Sequence, residues 1–203
     1  SADPAVLRPA RDPFSADGGL RLLQGNLGRC VVKVSAVKPA HRVVRAPAVV
    51  VADQQALLAL YQQGRLQRDF IAVVRYQGPQ ANGMPELHKL MPPLGALQDQ
   101  GFKVALVTDG RLSGASGKVP SAIHLSPEAL GGGPIARVME GDWITLDCEQ
   151  GILQLEVDDA TLAARSPIVP DLSAHAQGTG RELFGLFRRH AATAEAGASP
   201  LLA

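Results

Sequence analysis

The densest concentration of reactive side chains in this sequence is the segment TDGRLSGASGKVP, residues 108–120. Its first eleven residues combine three glycines, three hydroxyl residues, one acid and two bases directly behind an apolar stretch. Such a loop favours a polar ligand, although the same glycines and hydroxyls could serve merely to build a tight turn. The segment has neither the glycine spacing of a Walker loop before Lys118 nor the pattern of a GxSxG elbow. Residue types alone therefore indicate a site without naming its reaction.

A second polar loop, RYQGPQANGMPE, covers residues 75–86. It ends in Glu86, which follows Pro85 at a position suited to the first turn of a helix. A carboxylate there could simply complement the helix dipole, or it could act as a ligand of a hard cation such as Mg²⁺. Both interpretations stay open at this stage. His88 and His124 have no second His or Cys at metal-ligand spacing, so we assign them no catalytic role.

Composition and charge exclude several function classes. The 203 residues carry a formal net charge of +1, which gives no general attraction to nucleic acid or to anionic lipid. No apolar run is long enough to span a bilayer, and no secretory signal is apparent at the start. Cys30 and Cys148 lack a partner at CxxC spacing, so they cannot build a zinc site or a complete iron–sulfur centre. We expect a cytoplasmic, thiol-reducing setting.

The elements that must position the two loops are predicted from apolar patterns and turn residues. The order strand, loop, helix, strand over residues 70–107 predicts a right-handed crossover between parallel strands. The two loops then follow the carboxyl ends of neighbouring strands, where ligands usually bind in parallel sheets. Pro47 predicts an edge strand or a bulge, Asp53 a helix cap, and residues 149–151 a hairpin turn. We predict strands at 29–37, 42–51, 70–75, 103–107, 121–125, 143–148 and 152–157, and helices at 54–67, 85–99, 158–165 and 180–192. A lead-in (1–18), one domain (19–192) and a flexible tail (193–203) complete the organisation.

Several segments resemble one known family, the dihydroxy-acid and sugar-acid dehydratases. The similarity runs from about residue 18 to residue 190 and corresponds to the final third of a family member. It is closer to the phosphogluconate branch than to the branched-chain amino-acid branch. The segments that carry the resemblance are GNLG (25–28), residues 75–129, residues 132–147 and GTGRELF (178–184).

The resemblance implies a fold and a reaction. The fold would be a β-rich α/β domain of the swivelling type, with a barrel-like sheet flanked by helices. The reaction would be the dehydration of 6-phosphogluconate to a 2-keto-3-deoxy acid, a step of the Entner–Doudoroff pathway. By position in the family motifs, Ser113 matches the serine that acts as base, and Glu86 matches a Mg²⁺ ligand. A 4Fe-4S cluster would be held by an N-terminal domain that this chain lacks, because Cys30 and Cys148 do not lie in the cluster motifs.

The resemblance also suggests contacts whose details stay open. Arg75, Arg111 and Lys118 could bind the substrate phosphate, and each could equally form a structural ion pair. We expect the isolated chain to be inactive, to dock against the N-terminal domain through an apolar patch, and to form a homodimer within the full-length enzyme. The alternatives are a dehydratase domain for another sugar acid, or a noncatalytic anion-binding or dimerisation module. The predicted substrate contacts are Arg75, Asp109, Gly110, Arg111, Ser116 and Lys118.

Overall fold

The computed structural model describes residues 2–113, 117–178 and 180–201, and its centre is a closed barrel of eight strands. Around the barrel the strands follow the order β1-β2-β6-β5-β4-β3-β7-β8. The strands are β1 (Leu20–Gly25), β2 (Gly28–Lys33), β3 (Val43–Val51), β4 (Phe70–Val74), β5 (Val104–Thr108), β6 (Ser121–Ser126), β7 (Trp143–Asp147) and β8 (Ile152–Leu155).

In the described part of the chain, four α-helices and several 3-10 turns flank this barrel. They are α1 (Gln54–Gln62), α2 (Met91–Asp99), α3 (Asp159–Ala164) and α4 (Gly185–Arg189), with 3-10 turns at Pro39–His41, His88–Leu90, Pro134–Arg137, Ser173–His175 and Ala194–Ala196. Within the described ranges, no helix has the length and apolarity that a bilayer crossing requires. The predicted fold class, a β-rich α/β domain with a barrel-like sheet flanked by helices, is confirmed.

The sequences of β4 and β5 are almost entirely apolar because both faces of these strands are buried. Ile71 and Val73 point into the barrel, whereas Phe70 and Val74 belong to a second core that lies under α1 and α2. The two strands are parallel and in register, with Val74 opposite Thr108. The segments that follow them therefore leave the barrel side by side at the same end.

Most predicted elements are present, including the crossover from β4 through α2 to β5 and the hairpin between β7 and β8. The Asp53 cap is also confirmed, since its side chain accepts a 2.8 Å hydrogen bond from Ala56 N. Three expected helices were too long, because α1 ends at Gln62, α2 begins at Met91 and the last helix covers Gly185–Arg189 alone. The strand β1 was not predicted.

The expected edge or bulge at Pro47 is wrong. A closed barrel has no edge, and Pro47 lies inside β3 opposite Trp143 of β7. Pairing of β3 with β4 begins one residue later, at Ala48 opposite Ile71. The missing N–H of proline therefore costs no hydrogen bond in the β4 ladder.

The GNLG segment closes the barrel. Its two glycines face each other at the β1–β2 turn, and Gly28 has a φ of +120°, which side-chain-bearing residues rarely adopt. A Cβ at Gly28 would also lie 3.0 Å from the carbonyl carbon of Ser126. Between the glycines, the Asn26 amide donates to Leu155 O at 2.9 Å and accepts from Leu155 N at 2.9 Å. The Asn26 side chain thus extends the short β1–β8 pairing, which has a single register pair.

Candidate functional site

The two polar loops meet beyond the carboxyl ends of β4 and β5. Ser113 N donates a 3.0 Å hydrogen bond to Glu86 Oε1, and Arg111 Nη1 lies 3.1 Å from Glu86 Oε2. Arg111 also donates from Nε to Met84 O at 2.9 Å, and its backbone forms a parallel bridge with Glu86. The structure therefore brings together three of the sequence-predicted site residues around one partly exposed carboxylate.

The predicted placement of Glu86 in a first helical turn is wrong. Glu86 forms an extended bridge, and the 3-10 turn that leads into α2 begins at His88. The Glu86 carboxylate is engaged by Arg111 and by the Ser113 amide, so helix-dipole compensation does not explain its position. The cation-ligand interpretation of this residue stays a prediction.

Backbone strain is concentrated around these loops. Among the described residues, four non-glycine residues have positive φ, and three of them are Tyr76 (60°), Met84 (53°) and His124 (58°). Tyr76 and Met84 lie in the first loop, and His124 N donates to Gly110 O of the second loop at 2.9 Å. Such conformations cost about 1–3 kcal/mol each and persist where surrounding contacts impose them, often at functional sites.

Asp109 anchors the start of both loops from the interior. Its side chain is fully buried, and its carboxylate accepts hydrogen bonds from Tyr76 N (3.2 Å), Gln77 N (2.9 Å) and Ala129 N (2.9 Å). Burial raises the pKa of Asp109 to about 6, against the lowering effect of these hydrogen bonds, and the nearby charge of Glu128 adds to the increase. This geometry does not support the predicted substrate contact of Asp109.

Glu128 anchors the middle of the first loop in the same way. Its carboxylate accepts from Gln80 N at 2.9 Å and from Ala81 N at 3.1 Å, and burial raises its pKa. Gly78 permits this approach, because a Cβ at that position would lie 2.7 Å from Glu128 Cβ. Sequence reasoning missed Glu128, since an acid between Pro127 and Ala129 has no pattern that marks it as buried.

Arg75 is also buried, and its guanidinium points away from the loops. Its Nη1 donates to Ala136 O at 3.1 Å and to Val138 O at 2.9 Å. Burial lowers the pKa of Arg75, and the charge of Asp109 opposes this effect. The phosphate contact predicted for Arg75 gains no support from these contacts, because the guanidinium serves to satisfy backbone carbonyls.

The three other predicted substrate contacts, Lys118, Gly110 and Ser116, differ in their surroundings. Lys118 Nζ forms an exposed ion pair with Asp99 at 2.5 Å. A structural ion pair was the alternative to phosphate binding for this residue. Gly110 packs against Gln77, and a Cβ there would lie 2.7 Å from Gln77 Cβ. Ser116 lies outside the described residues. The roles of all three in substrate binding stay predictions.

A depression of about 340 Å³ opens beside Ser113. His124 forms part of its wall and is half-buried, and both burial and the charge of Arg111 lower the pKa of its imidazole. The neutral imidazole is therefore favoured at neutral pH. The proximity of His124 to Ser113 could not be read from the sequence, because it depends on the pairing of β6 with β5. Most of the lining is apolar and comes from Leu20, Val31, Leu112 and Ile123.

A larger depression, of about 670 Å³, lies elsewhere, between the lead-in, β1 and the segment that joins β2 to β3. Its two arginines are already engaged, because Arg21 pairs with Asp17 at 2.9 Å and Arg42 with Glu149 at 3.0 Å. It is lined by neither of the two polar loops. We therefore place the candidate site at the smaller depression beside Ser113.

The described residues do not fit an iron–sulfur cluster. Cys30 and Cys148 are buried in the barrel core, where burial raises their pKa values to about 12 and about 11. Cluster ligands are thiolates, which such surroundings disfavour. Across residues 2–113, 117–178 and 180–201, no three His, Cys, Asp or Glu side chains come close enough to hold a metal ion. Glu86 could thus supply only its own carboxylate to a hard cation, and the other ligands of that cation would have to come from elsewhere.

Comparisons with known proteins identify the family of this chain. Residues 5–198 match the family model described as dihydroxy-acid/6-phosphogluconate dehydratase C-terminal. Phosphogluconate dehydratases of Pseudomonas aeruginosa and Escherichia coli are 60% and 57% identical, each over 98% of this chain but over 32% and 33% of their own lengths. A dihydroxy-acid dehydratase of Agathobacter rectalis is 42% identical over 80% of this chain and 29% of its own length. The chain thus spans about a third of the length of these curated relatives. It belongs to the dihydroxy-acid/6-phosphogluconate dehydratase family, and the region of the family that it matches is the C-terminal one.

Proposed function

We propose that this chain is the C-terminal part of a hydro-lyase that dehydrates 6-phosphogluconate to 2-keto-3-deoxy-6-phosphogluconate. The observation that carries the proposal is the direct contact between the two loops, in which the Ser113 amide binds the Glu86 carboxylate. The relatives named phosphogluconate dehydratase are 60% and 57% identical to this chain, against 42% for the dihydroxy-acid dehydratase. This difference favours the phosphorylated sugar acid as substrate.

In this proposal Ser113 accepts the proton on the carbon next to the substrate carboxylate. A serine hydroxyl is a weak base in water, so positive charge nearby must favour its alkoxide form. The Arg111 guanidinium is two residues away, and its pairing with Glu86 partly neutralises it. A divalent cation such as Mg²⁺, with Glu86 as one ligand, would supply further positive charge at the substrate carboxylate. Glu86 would hold this cation next to the Ser113 backbone.

The remaining groups would come from a polypeptide region N-terminal to this one. A 4Fe-4S cluster would have its ligands there, because the two cysteines of this chain are buried and unsuited to it. The apolar face formed by Leu183, Phe184, Leu186 and Phe187 supports docking of such a partner, since all four side chains are between 43% and 72% exposed. Arg181 of the same segment donates to Asn82 Oδ1 at 2.7 Å, which links this face to the Glu86 loop. We further propose a homodimer in the cytoplasm, where free cysteines persist.

A chimaera tests the proposed function. These 203 residues replace the matching third of the Pseudomonas aeruginosa phosphogluconate dehydratase, and turnover of 6-phosphogluconate is measured after reconstitution with iron, sulfide and Mg²⁺. We expect activity, and we expect Ser113→Ala to lower kcat about 10²- to 10⁴-fold, the usual contribution of a general base. Ser173→Ala, at an exposed 3-10 turn, is the matched control. A folded, cluster-bearing chimaera without turnover would favour a noncatalytic module instead.

The substrate assignment needs a panel of sugar acids with and without a phosphate group. We expect Arg111→Ala to reduce the preference for the phosphorylated acid, because an arginine binds phosphate in a bidentate manner. Lys118→Ala tests the second exposed cation in the same way. If the chimaera turned over an unphosphorylated acid faster, the dehydratase of another sugar acid would replace our proposal. Unchanged KM and kcat in the Arg111 variant would remove that residue from the phosphate site.

A further inference from the structure

Two buried carboxylates hold the backbone of the first polar loop. Asp109 accepts hydrogen bonds from the N–H groups of residues 76 and 77, and Glu128 accepts from those of residues 80 and 81. Both acids lie on other segments, one after β5 and one after β6. The Asp109 carboxylate also binds Ala129 N, which joins the two anchors to each other. The loop is therefore fixed by side chains of its neighbours and not by a ladder of its own.

The held segment leads directly to the site. Residues 82 and 83 turn back onto Gly78 O at 3.1 Å and 3.0 Å, and Met84 then receives the Arg111 guanidinium. Glu86 follows and accepts the Ser113 amide. A shift of residues 76–81 would therefore move Glu86 relative to Ser113, because no regular element intervenes between the anchors and Glu86.

We propose that Asp109 and Glu128 are positioning residues for the dehydration, and that they act by holding residues 76–81 so that Glu86 meets Ser113. This role rests on the proposed function for its effect on turnover. Neither carboxylate touches the candidate base, and both are buried, so neither is a catalytic residue. When a catalytic group is displaced by about 1 Å from its reacting partner, turnover can fall about 10²-fold.

The test uses Asp109→Asn and Glu128→Gln in the chimaera. Each amide keeps one oxygen acceptor but turns an NH₂ group toward a backbone N–H, so the anchoring hydrogen bonds weaken at nearly constant volume. We expect kcat to fall roughly 10- to 100-fold, with a much smaller change of KM. We also expect hydrogen exchange at the Ser113 amide to become about tenfold faster, because its bond to Glu86 loosens.

Asp147→Asn is the matched control. Asp147 is a buried carboxylate that accepts two backbone hydrogen bonds of 2.8 Å, from Glu149 N and Gln150 N. It faces Val43 at the start of β3, whereas the site lies beyond the end of β4, which pairs with the end of β3. We expect this variant to lose thermal stability as the other two do, while kcat and Ser113 exchange stay at the wild-type values.

The outcomes separate this inference from the proposed function. If the unmodified chimaera is inactive, the proposed function fails, and exchange at Ser113 then decides the positioning role by itself. Wild-type exchange at Ser113 in both anchor variants would overturn that role. A kcat within about twofold of the wild type, despite faster exchange, would also overturn it. Equal losses of kcat in the anchor variants and in Asp147→Asn would mean a general effect on stability.

Discussion

The backbone amide of Ser113 lies 3.0 Å from Glu86 Oε1, although the two residues are 27 positions apart in the chain. This hydrogen bond joins the loop after β5 to the loop after β4. Glu86 thereby has one oxygen directed to a neutral donor and the other to the Arg111 guanidinium at 3.1 Å. The Glu86 carboxylate thus links the candidate base to a cationic side chain, and this link is what the proposed role of Glu86 would use.

Replacement of Glu86 by glutamine should separate charge from geometry. The amide oxygen can still accept the Ser113 N–H bond, whereas the negative charge that binds a divalent cation is lost. We expect the Mg²⁺ concentration for half-maximal turnover of the chimaera to rise at least about 10- to 100-fold. Metal affinity falls by this factor when a residue that only hydrogen-bonds to a metal ligand is replaced, and loss of a ligand should cost no less. A Mg²⁺ titration of turnover measures it.

Glu140→Gln is the control for this change. Glu140 likewise pairs with an arginine, Arg68 at 3.7 Å, and accepts one backbone hydrogen bond, from Val50 N at 2.7 Å. Its replacement should leave the Mg²⁺ requirement unaltered. If the two variants respond equally, Glu86 is not a cation ligand and its contacts are structural.

The free energy of unfolding should depend on pH through Asp109. Its folded-state pKa of about 6 lies above the ordinary value of 3.8, so the folded protein binds the proton more tightly than the unfolded chain. Stability from this group is fully present below about pH 4 and is lost as the pH rises through about 6. The pKa difference corresponds to about 3 kcal/mol. Urea unfolding of wild type and Asp109→Asn at several pH values measures it.

Between pH 4 and pH 7 the stability advantage of the wild type over Asp109→Asn should therefore shrink by about this amount. Titrating groups that do not interact with Asp109 are common to both proteins and cancel in the difference, whereas Glu128, which is coupled to Asp109, contributes to it. A difference that stays constant across this range would show that Asp109 has an ordinary pKa. The comparison requires reversible unfolding at each pH.

Gly28→Ala should destabilise the barrel more than Gly141→Ala. Both glycines have positive φ, but a Cβ at Gly141 meets no atom within 4 Å, whereas one at Gly28 would contact the Ser126 carbonyl. We expect Gly141→Ala to lower the free energy of unfolding by about 1 kcal/mol, because of its backbone conformation. Gly28→Ala should lower it by about 1–3 kcal/mol more, because of the steric contact. Thermal and urea unfolding measure both values. Equal losses would mean that the backbone at Gly28 moves freely away from Ser126.

Asn26→Ala should open the barrel between β1 and β8. The variant loses hydrogen bonds with Leu155 and Val157, and it leaves the Leu155 N–H without its acceptor. We expect a loss of about 2–3 kcal/mol in the free energy of unfolding. Hydrogen exchange at Leu155 should accelerate more than exchange at Leu146 of β7. Parallel acceleration at both amides would argue for global destabilisation instead.

The sequence predicted the parts of the fold that have strong local patterns. The Val-rich runs of β3 and β4, the Asp53 cap and the β7–β8 turn were all recognisable from residue types within a few positions. The strand β1 was missed because LRLLQG lacks β-branched residues and alternates weakly. Pro47 was misread because closure of the barrel, which removes edges, is a property of the whole sheet.

The two loops of the candidate site could be predicted from the order of strands and helices along the chain. Both loops were selected because they follow neighbouring parallel strands, and the structure joins them through Glu86 and Ser113. The burial of Asp109 and Arg75 was not predictable, since polar residues in a glycine-rich loop have the same local pattern whether they face a ligand or the interior. His124 came near Ser113 through strand pairing, which spacing along the chain does not encode.

Residues 76–81 direct four peptide N–H groups toward the protein's own anions, Asp109 and Glu128. Clusters of N–H groups of this kind are common phosphate receptors, and here they are occupied before any ligand arrives. An incoming phosphate would have to displace a buried carboxylate in order to use them. Under the proposed function, the part of this chain in discriminating among acidic substrates would then rest on exposed cationic side chains such as Arg111. These side chains can be exchanged during evolution without rebuilding the loop backbone.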